Sequence, residues 1–323
     1  MAGLEQYESW QSTDREAGLA LEIESSCAPL GQRITGVDLS KPLDDTTFAE
    51  IEAAWNRYGV IVLPGQELTP EQQIAFSLRF GEQEQYLLGE FLLPGHKEIF
   101  VVSNIIENGK PVGMADAGRT WHSDMAVIEA PPRGSILYAL EVPRDLDGTA
   151  RGDTWFASSQ AAYDALPQAT KDRIDGLKGI FSYDHYIQVK ADRLAAGNAT
   201  AASTNAHGAR KSQYPDRAHP LVRVHPITGR RCLYMAEDLM SGIVGLEQGE
   251  AMHLLADLWA HLTQPQFVYR HVWNEGDLVI WDNCSSVHRA TGDYGPHQYR
   301  RMHRTTLKGT VPVGPELRQH AAE

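Results

Sequence analysis

Cysteine is scarce in this sequence: Cys27, Cys232 and Cys284 are the only three in 323 residues. An odd number at wide spacing builds neither a disulfide framework nor a CxxC zinc pair, so a reducing cytoplasm is the expected compartment. No apolar run approaches the roughly 18 to 20 residues of a membrane helix. The opening MAGLEQYESWQSTDREAG lacks a basic stretch followed by an apolar one, so no signal peptide is expected. Cations are also short, 29 Lys and Arg against 42 Asp and Glu, for a formal net charge of −13. That deficit argues against non-specific binding to nucleic acid or anionic membrane, although it leaves room for a local cationic pocket.

At 42% hydrophobic and 22% charged, the composition is that of a soluble globular protein. With no repeat, low-complexity tract or interdomain linker, the expectation is one domain over 1–323, with loosely ordered tails at about 1–20 and 312–323. Residues 44–58 carry Phe48, Ile51, Trp55 and Tyr58 at helical spacing, with Gly59 as the stop. VIVLP reads as a buried strand. A second helix starts with Thr69 as N-cap and Pro70 in its first turn. From Phe100 onward, short β-branched runs separated by Gly, Pro, Asp and Asn predict strands, interrupted by helices at roughly 158–175 and 247–263. HPITGR reads as a turn between two strands. Strands and crossover helices do not alternate, which disfavours a doubly wound nucleotide-binding fold. The pattern predicts a mainly β protein with flanking helices, a sandwich or jelly roll. Residues 195–218, small and polar, read as a mobile loop near a site.

Thirteen His invite a search for metal ligands. His122-Ser123-Asp124 is a His-x-Asp pair, and on a strand residues i and i+2 share a face. A nitrogen and a carboxylate oxygen there, joined by a distant His, leave up to three positions open on an ion. That is the donor set of non-haem Fe(II) that must bind a cosubstrate and dioxygen together. His96-Lys97-Glu98 offers the same local spacing, so the pair alone is a weak signal. His288, after WDNCSSV, supplies a third candidate. In the following strand Arg300, Met302 and Arg304 share one face. Two guanidiniums fit either a solvated edge strand or a pocket that grips oxyanions bidentately. His219 and His225 beside Pro read as structural, His303 on the other face of the Arg strand as a packing or supporting hydrogen-bond residue, and His253 and His261 as polar-face residues of a Leu-patterned helix. Cys284 reads as a buried, inert thiol.

The ordered blocks WHSD (121–124), EAPPRGSILYALEVP, RGDTWFASSQAAYDALP, HPLVRVHPITGR, GDLVIWDN (276–283), His288 and DYGPHQYRRMHR resemble the TauD/TfdA family of Fe(II)- and 2-oxoglutarate-dependent dioxygenases. The resemblance runs from about Leu39 to Thr310. It implies a double-stranded β-helix (jelly roll) core, with His122, Asp124 and His288 as iron ligands. Thr154 and Arg300 match the pair that holds the distal carboxylate of 2-oxoglutarate, and Arg304 matches the residue that meets the acidic group of the substrate. Tyr86 and Asn104 are further candidates for the substrate pocket. Tyr86 aligns loosely with a sulfonate-binding His of taurine-type members, which counts against taurine. Arg151 stands where a Gly is usual, after a PRDLDGTA stretch longer than the family's compact approach.

By the same resemblance, dioxygen and 2-oxoglutarate are consumed, succinate and carbon dioxide released, and a small anionic substrate oxidised, usually hydroxylated. Asp124 argues against halogenation, whose enzymes lack that carboxylate. Desaturation or oxidative decarboxylation, a non-catalytic 2-oxoglutarate sensor and a Zn²⁺ hydrolase on the same ligands are the competing readings. A homo-oligomer, dimer or tetramer, is expected from similar proteins.

Overall fold

The computed structural model describes residues 21–84, 91–115, 118–196 and 214–315. The 1–20 tail, Tyr86, most of the 195–218 loop and all but the start of the 312–323 tail therefore lie outside the described residues. Within them the chain is mainly β with flanking helices.

An eight-stranded sheet forms one layer. Its strands, in spatial order, are Glu22–Glu24, Gln32–Thr35, Val60–Leu63, Leu278–Asp282, Gly134–Glu141, Arg301–Leu307, His96–Ser103 and Leu92–Leu93. All neighbours pair antiparallel except Gln32–Thr35 with Val60–Leu63. Opposite lies a three-stranded antiparallel sheet, Val268–His271, Thr154–Ser158 and Ser286–Ala290.

Alternation along the strands builds three cores. Between the sheets, Phe100, Leu137, Phe156, Trp273, Val279, Trp281 and Met302 pack together. The outer face of the large sheet (Ile61, Ile136, Leu278, Ile280) is covered by Phe48, Ile51, Trp55 and Phe76 of helices Asp45–Tyr58 and Pro70–Leu78. The outer face of the small sheet (Ala157, Val287) is covered by helices Ser159–Ala165 and Gln248–Leu262. The order helix, sheet, sheet, helix leaves one interior, and the polar residues described below open into it.

The first two helices start as their sequences dictate. Asp44 accepts from the Thr47 amide, and Thr69 forms a reciprocal capping box with Gln72. The expected 158–175 helix is instead two, Ser159–Ala165 and Gln168–Ile174, separated at Pro167, which cannot continue a helix. HPITGR does join two antiparallel strands, Val222–Val224 and Arg231–Leu233. One helix, Tyr183–Ala195, was not expected, and it takes the start of what reads as a loop. Its start signal is the Ser182 hydroxyl, which accepts from the His185 amide at 3.3 Å.

Candidate metal and anion site

His122, Asp124 and His288 come together at the inner face of the small sheet, their candidate ligand atoms all within 4.8 Å of one another. The His-x-Asp pair is not on a regular strand. His122 makes a single bridge to His288, and the chain then enters a turn in which Met125 adopts φ +48°. The bridge brings the imidazoles together with ring centroids 4.2 Å apart. Both Nε2 atoms face Asp124 Oδ1, at 3.9 Å from His122 and 3.8 Å from His288.

The donor chemistry fits a divalent metal. The Nδ1 of His122 lies 2.8 Å from the Thr120 carbonyl, which places the proton there and leaves Nε2 as a lone-pair donor. Gly118 makes room for that ring, since a Cβ there would lie 2.7 Å from His122 Cε1. Burial and the neighbouring His122 push the His288 pKa down to about 3 despite Asp124, so the ring is neutral, as a ligand must be.

The two oxygens of Asp124 are not equivalent. Oδ2 accepts from Ser135 Oγ (2.9 Å), Trp281 Nε1 (3.2 Å) and Asn283 Nδ2 (3.3 Å), whereas Oδ1 points at the histidines. Burial alone would raise this carboxyl's pKa. Arg304, His288, His122 and the Ser135 hydroxyl outweigh it and hold the group ionised, well below the usual carboxylate range.

Beside this triad lies a cationic strip. Arg300, Met302 and Arg304 share one face, as alternation predicts, and that face is the interior one. Arg304 Nη1 is 3.3 Å from Asp124 Oδ1, with its guanidinium carbon 5.2 Å from the Phe100 ring centroid. Arg300 is 4% exposed, has no carboxylate partner among the described residues, and its Nε lacks any hydrogen-bond partner. Burial depresses its pKa, and nearby Arg119 adds to this against Tyr294, yet a guanidinium stays charged. A buried, uncompensated cation is costly, so this position calls for an anion. Thr154 is 5% exposed; its Oγ1 accepts from Trp273 Nε1 at 3.0 Å, which leaves its O–H free to donate elsewhere.

Asn104 is brought to this region in a bracing position. Its Oδ1 accepts from the Arg300 amide at 2.9 Å and its Nδ2 donates to the Gln298 carbonyl at 3.0 Å, which fixes the start of the arginine strand. Arg151, which the resemblance sets where a Gly is usual, pairs with Asp145 and reaches Asp293 at 3.6 Å, clamping the loop before Thr154. Sequence reasoning missed Asn283, Ser135 and Trp281 around Asp124, Gly152 beside Arg300, and Arg119.

Several other described histidines are engaged elsewhere. His96 meets Glu71 at 3.3 Å. His219 and His261 bond backbone carbonyls of Ile128 and Ala162. A second cluster, His225, Asp282 and Cys284, is wholly buried. The Nδ1 of His225 accepts from the Ile227 and Thr228 amides, so Nε2 carries the proton and donates to Asp282 at 2.9 Å. A metal would have to displace that proton, and the group is a structural hydrogen-bond unit. Burial raises the Cys284 thiol pKa well above its usual value, in keeping with an inert thiol.

The family model described as "Taurine catabolism dioxygenase TauD, TfdA family" matches residues 22–306. An alpha-ketoglutarate-dependent 2,4-dichlorophenoxyacetate dioxygenase of Cupriavidus pinatubonensis is 35% identical over 290 residues, covering 86% of this chain and 94% of its own. An alpha-ketoglutarate-dependent sulfate ester dioxygenase of Pseudomonas putida is 33% identical over 305 residues, covering 92% of each. The crystal structure of a taurine dioxygenase from Burkholderia xenovorans superposes with a TM-score of 0.73 at 32% identity, over 91% of each chain. The blocks that carried the resemblance, the converging triad and these matches agree: the chain belongs to the TauD/TfdA family of Fe(II)- and 2-oxoglutarate-dependent dioxygenases.

Proposed function

We propose that the protein hydroxylates a small anionic organic molecule, coupled to conversion of 2-oxoglutarate to succinate and carbon dioxide. The observation that carries this reading is Arg300, a buried guanidinium without a carboxylate partner among the described residues, in the same interior as an ionised Asp124 and a neutral His288.

In this reading His122 Nε2, Asp124 Oδ1 and His288 Nε2 hold Fe(II), which supplies dioxygen activation when bound. Arg300 and Thr154 hold the far carboxylate of 2-oxoglutarate, the first by charge-assisted hydrogen bonds, the second through its free O–H. Arg304 orients the substrate anion. Asn104 braces Arg300 and thereby the cosubstrate, and Tyr86 remains a proposed pocket residue. The two sheets form the walls of a double-stranded β-helix core in a single domain. Relatives whose names specify a carboxylate, a sulfate ester or a sulfonate substrate support an oxyanion as the recognised group.

A panel of aryloxyalkanoates, alkyl sulfates and sulfonates, scored by succinate release under air and under argon, tests the proposal. Oxygen-dependent succinate formation stimulated by one class is expected, with that substrate recovered hydroxylated or as the fragments of an unstable hydroxylated product. Substrate consumed under argon without succinate would instead indicate hydrolysis and sink the reading. Arg304→Ala is expected to raise the substrate concentration needed for turnover more than the 2-oxoglutarate requirement.

A further inference from the structure

Arg304 stands closer to the metal-binding atoms than a residue that only receives a substrate would need to. Its Nη1 is 3.3 Å from Asp124 Oδ1, the oxygen that also faces His122 Nε2 at 3.9 Å and His288 Nε2 at 3.8 Å. The other carboxylate oxygen is held by Ser135, Trp281 and Asn283, so Asp124 cannot rotate to give the metal and the guanidinium separate oxygens without breaking those bonds. Arg304's side chain is only 13% exposed and that of Asp124 6%, so solvent screens the pair poorly.

We propose that Arg304 couples anion binding to metal binding: its positive charge on the shared oxygen weakens divalent-cation binding until a small oxyanion lies against it. The inference rests on the reading of His122, Asp124 and His288 as the metal centre. Because linkage is reciprocal, the metal also strengthens binding of that anion.

Mn(II) titration of the metal-free protein, read as free Mn(II) by electron paramagnetic resonance, tests this without turnover. Arg304→Met is expected to tighten Mn(II) about tenfold, and Arg304→Lys, which keeps the charge, to stay near the wild type. Methanesulfonate, a monoanion, should tighten Mn(II) in the wild type relative to chloride at equal ionic strength, and have no such effect in Arg304→Met. Equal tightening in the Met and Lys variants would assign the effect to shape and overturn the proposal. So would a methanesulfonate effect that survives in Arg304→Met, since the anion would then act elsewhere. Wild type that fails to bind Mn(II), or Asp124→Asn that binds it equally well, would overturn the metal-centre reading itself. A thermal melt of each variant confirms that it is folded.

Discussion

Asn283 grips Asp124 at two points: its Oδ1 accepts from the Asp124 amide at 3.2 Å, and its Nδ2 donates to the Asp124 carboxylate at 3.3 Å. The same Oδ1 accepts from Trp281 Nε1 at 3.2 Å, and the Asn283 carbonyl accepts from Ser123 Oγ at 3.0 Å. One side chain therefore fixes both the backbone and the rotamer of the carboxylate, leaving Oδ1 for a metal.

Asn283→Ala is expected to weaken Fe(II) or Mn(II) binding roughly 10- to 100-fold, the usual effect of losing a partner of a metal ligand. Asn283→Asp should be worse, because it sets a second carboxylate against Oδ2 and cannot donate to it. Metal titration by calorimetry checks both. Wild-type affinity in the alanine variant would show that Ser135 and Trp281 suffice.

Arg300→Met should raise the 2-oxoglutarate concentration needed for half-maximal turnover about 10- to 100-fold, since hydrogen bonds to charged groups contribute about 1.5–3 kcal/mol. Without cosubstrate the same variant should be no less stable than wild type, because it removes a buried cation with no carboxylate partner among the described residues. Steady-state kinetics and a urea melt read the two effects separately. Strong destabilisation with unchanged cosubstrate dependence would make Arg300 a structural residue.

How much of this was legible in the sequence follows from the range of each interaction. Period-two alternation alone placed Arg300 and Arg304 on one face, because that rule is local, but not on an interior one, which depends on the neighbouring strands. The proposed ligand set came from ordered motif blocks, not from spacing: His122 and His288 meet through a single bridge that links residues 166 positions apart. The environment of Asp124 was invisible, since Ser135, Trp281 and Asn283 reach it only once the strands are registered. Helix 183–195 was missed because its face is mixed and its Ser182 cap lies in a polar stretch. Arg151, an apparent departure, became intelligible only with Asp145 and Asp293 beside it.

Gly152 precedes Asp153 and Thr154 with φ +79°, and a Cβ there would lie 3.0 Å from Tyr294 Cε1 and 3.4 Å from Arg300 Nε. Gly152→Ala is expected to destabilise by about 1–3 kcal/mol through the left-handed backbone. It should also raise the 2-oxoglutarate requirement by crowding Arg300. Chemical denaturation and kinetics give the two numbers. A loss of stability with unchanged cosubstrate dependence would mean that Tyr294 moves aside and Arg300 does not.

His303 supplies a pH dependence away from the proposed metal ligands. It is 8% exposed, and burial, with Arg301 and His96 adding to it, pushes its pKa down to about 4. In the unfolded chain a histidine titrates near pH 6.5. Between those values the unfolded state binds the proton and the folded state does not, so folding stability rises with pH across that window. It should be complete above about pH 6.5, decline as pH falls toward 4, and level off below as far as this group is concerned. Urea melts at intervals from pH 7 to 4 measure the slope, and His303→Phe should flatten it by this residue's share. If the variant keeps the full wild-type slope, His303 is not the group that titrates.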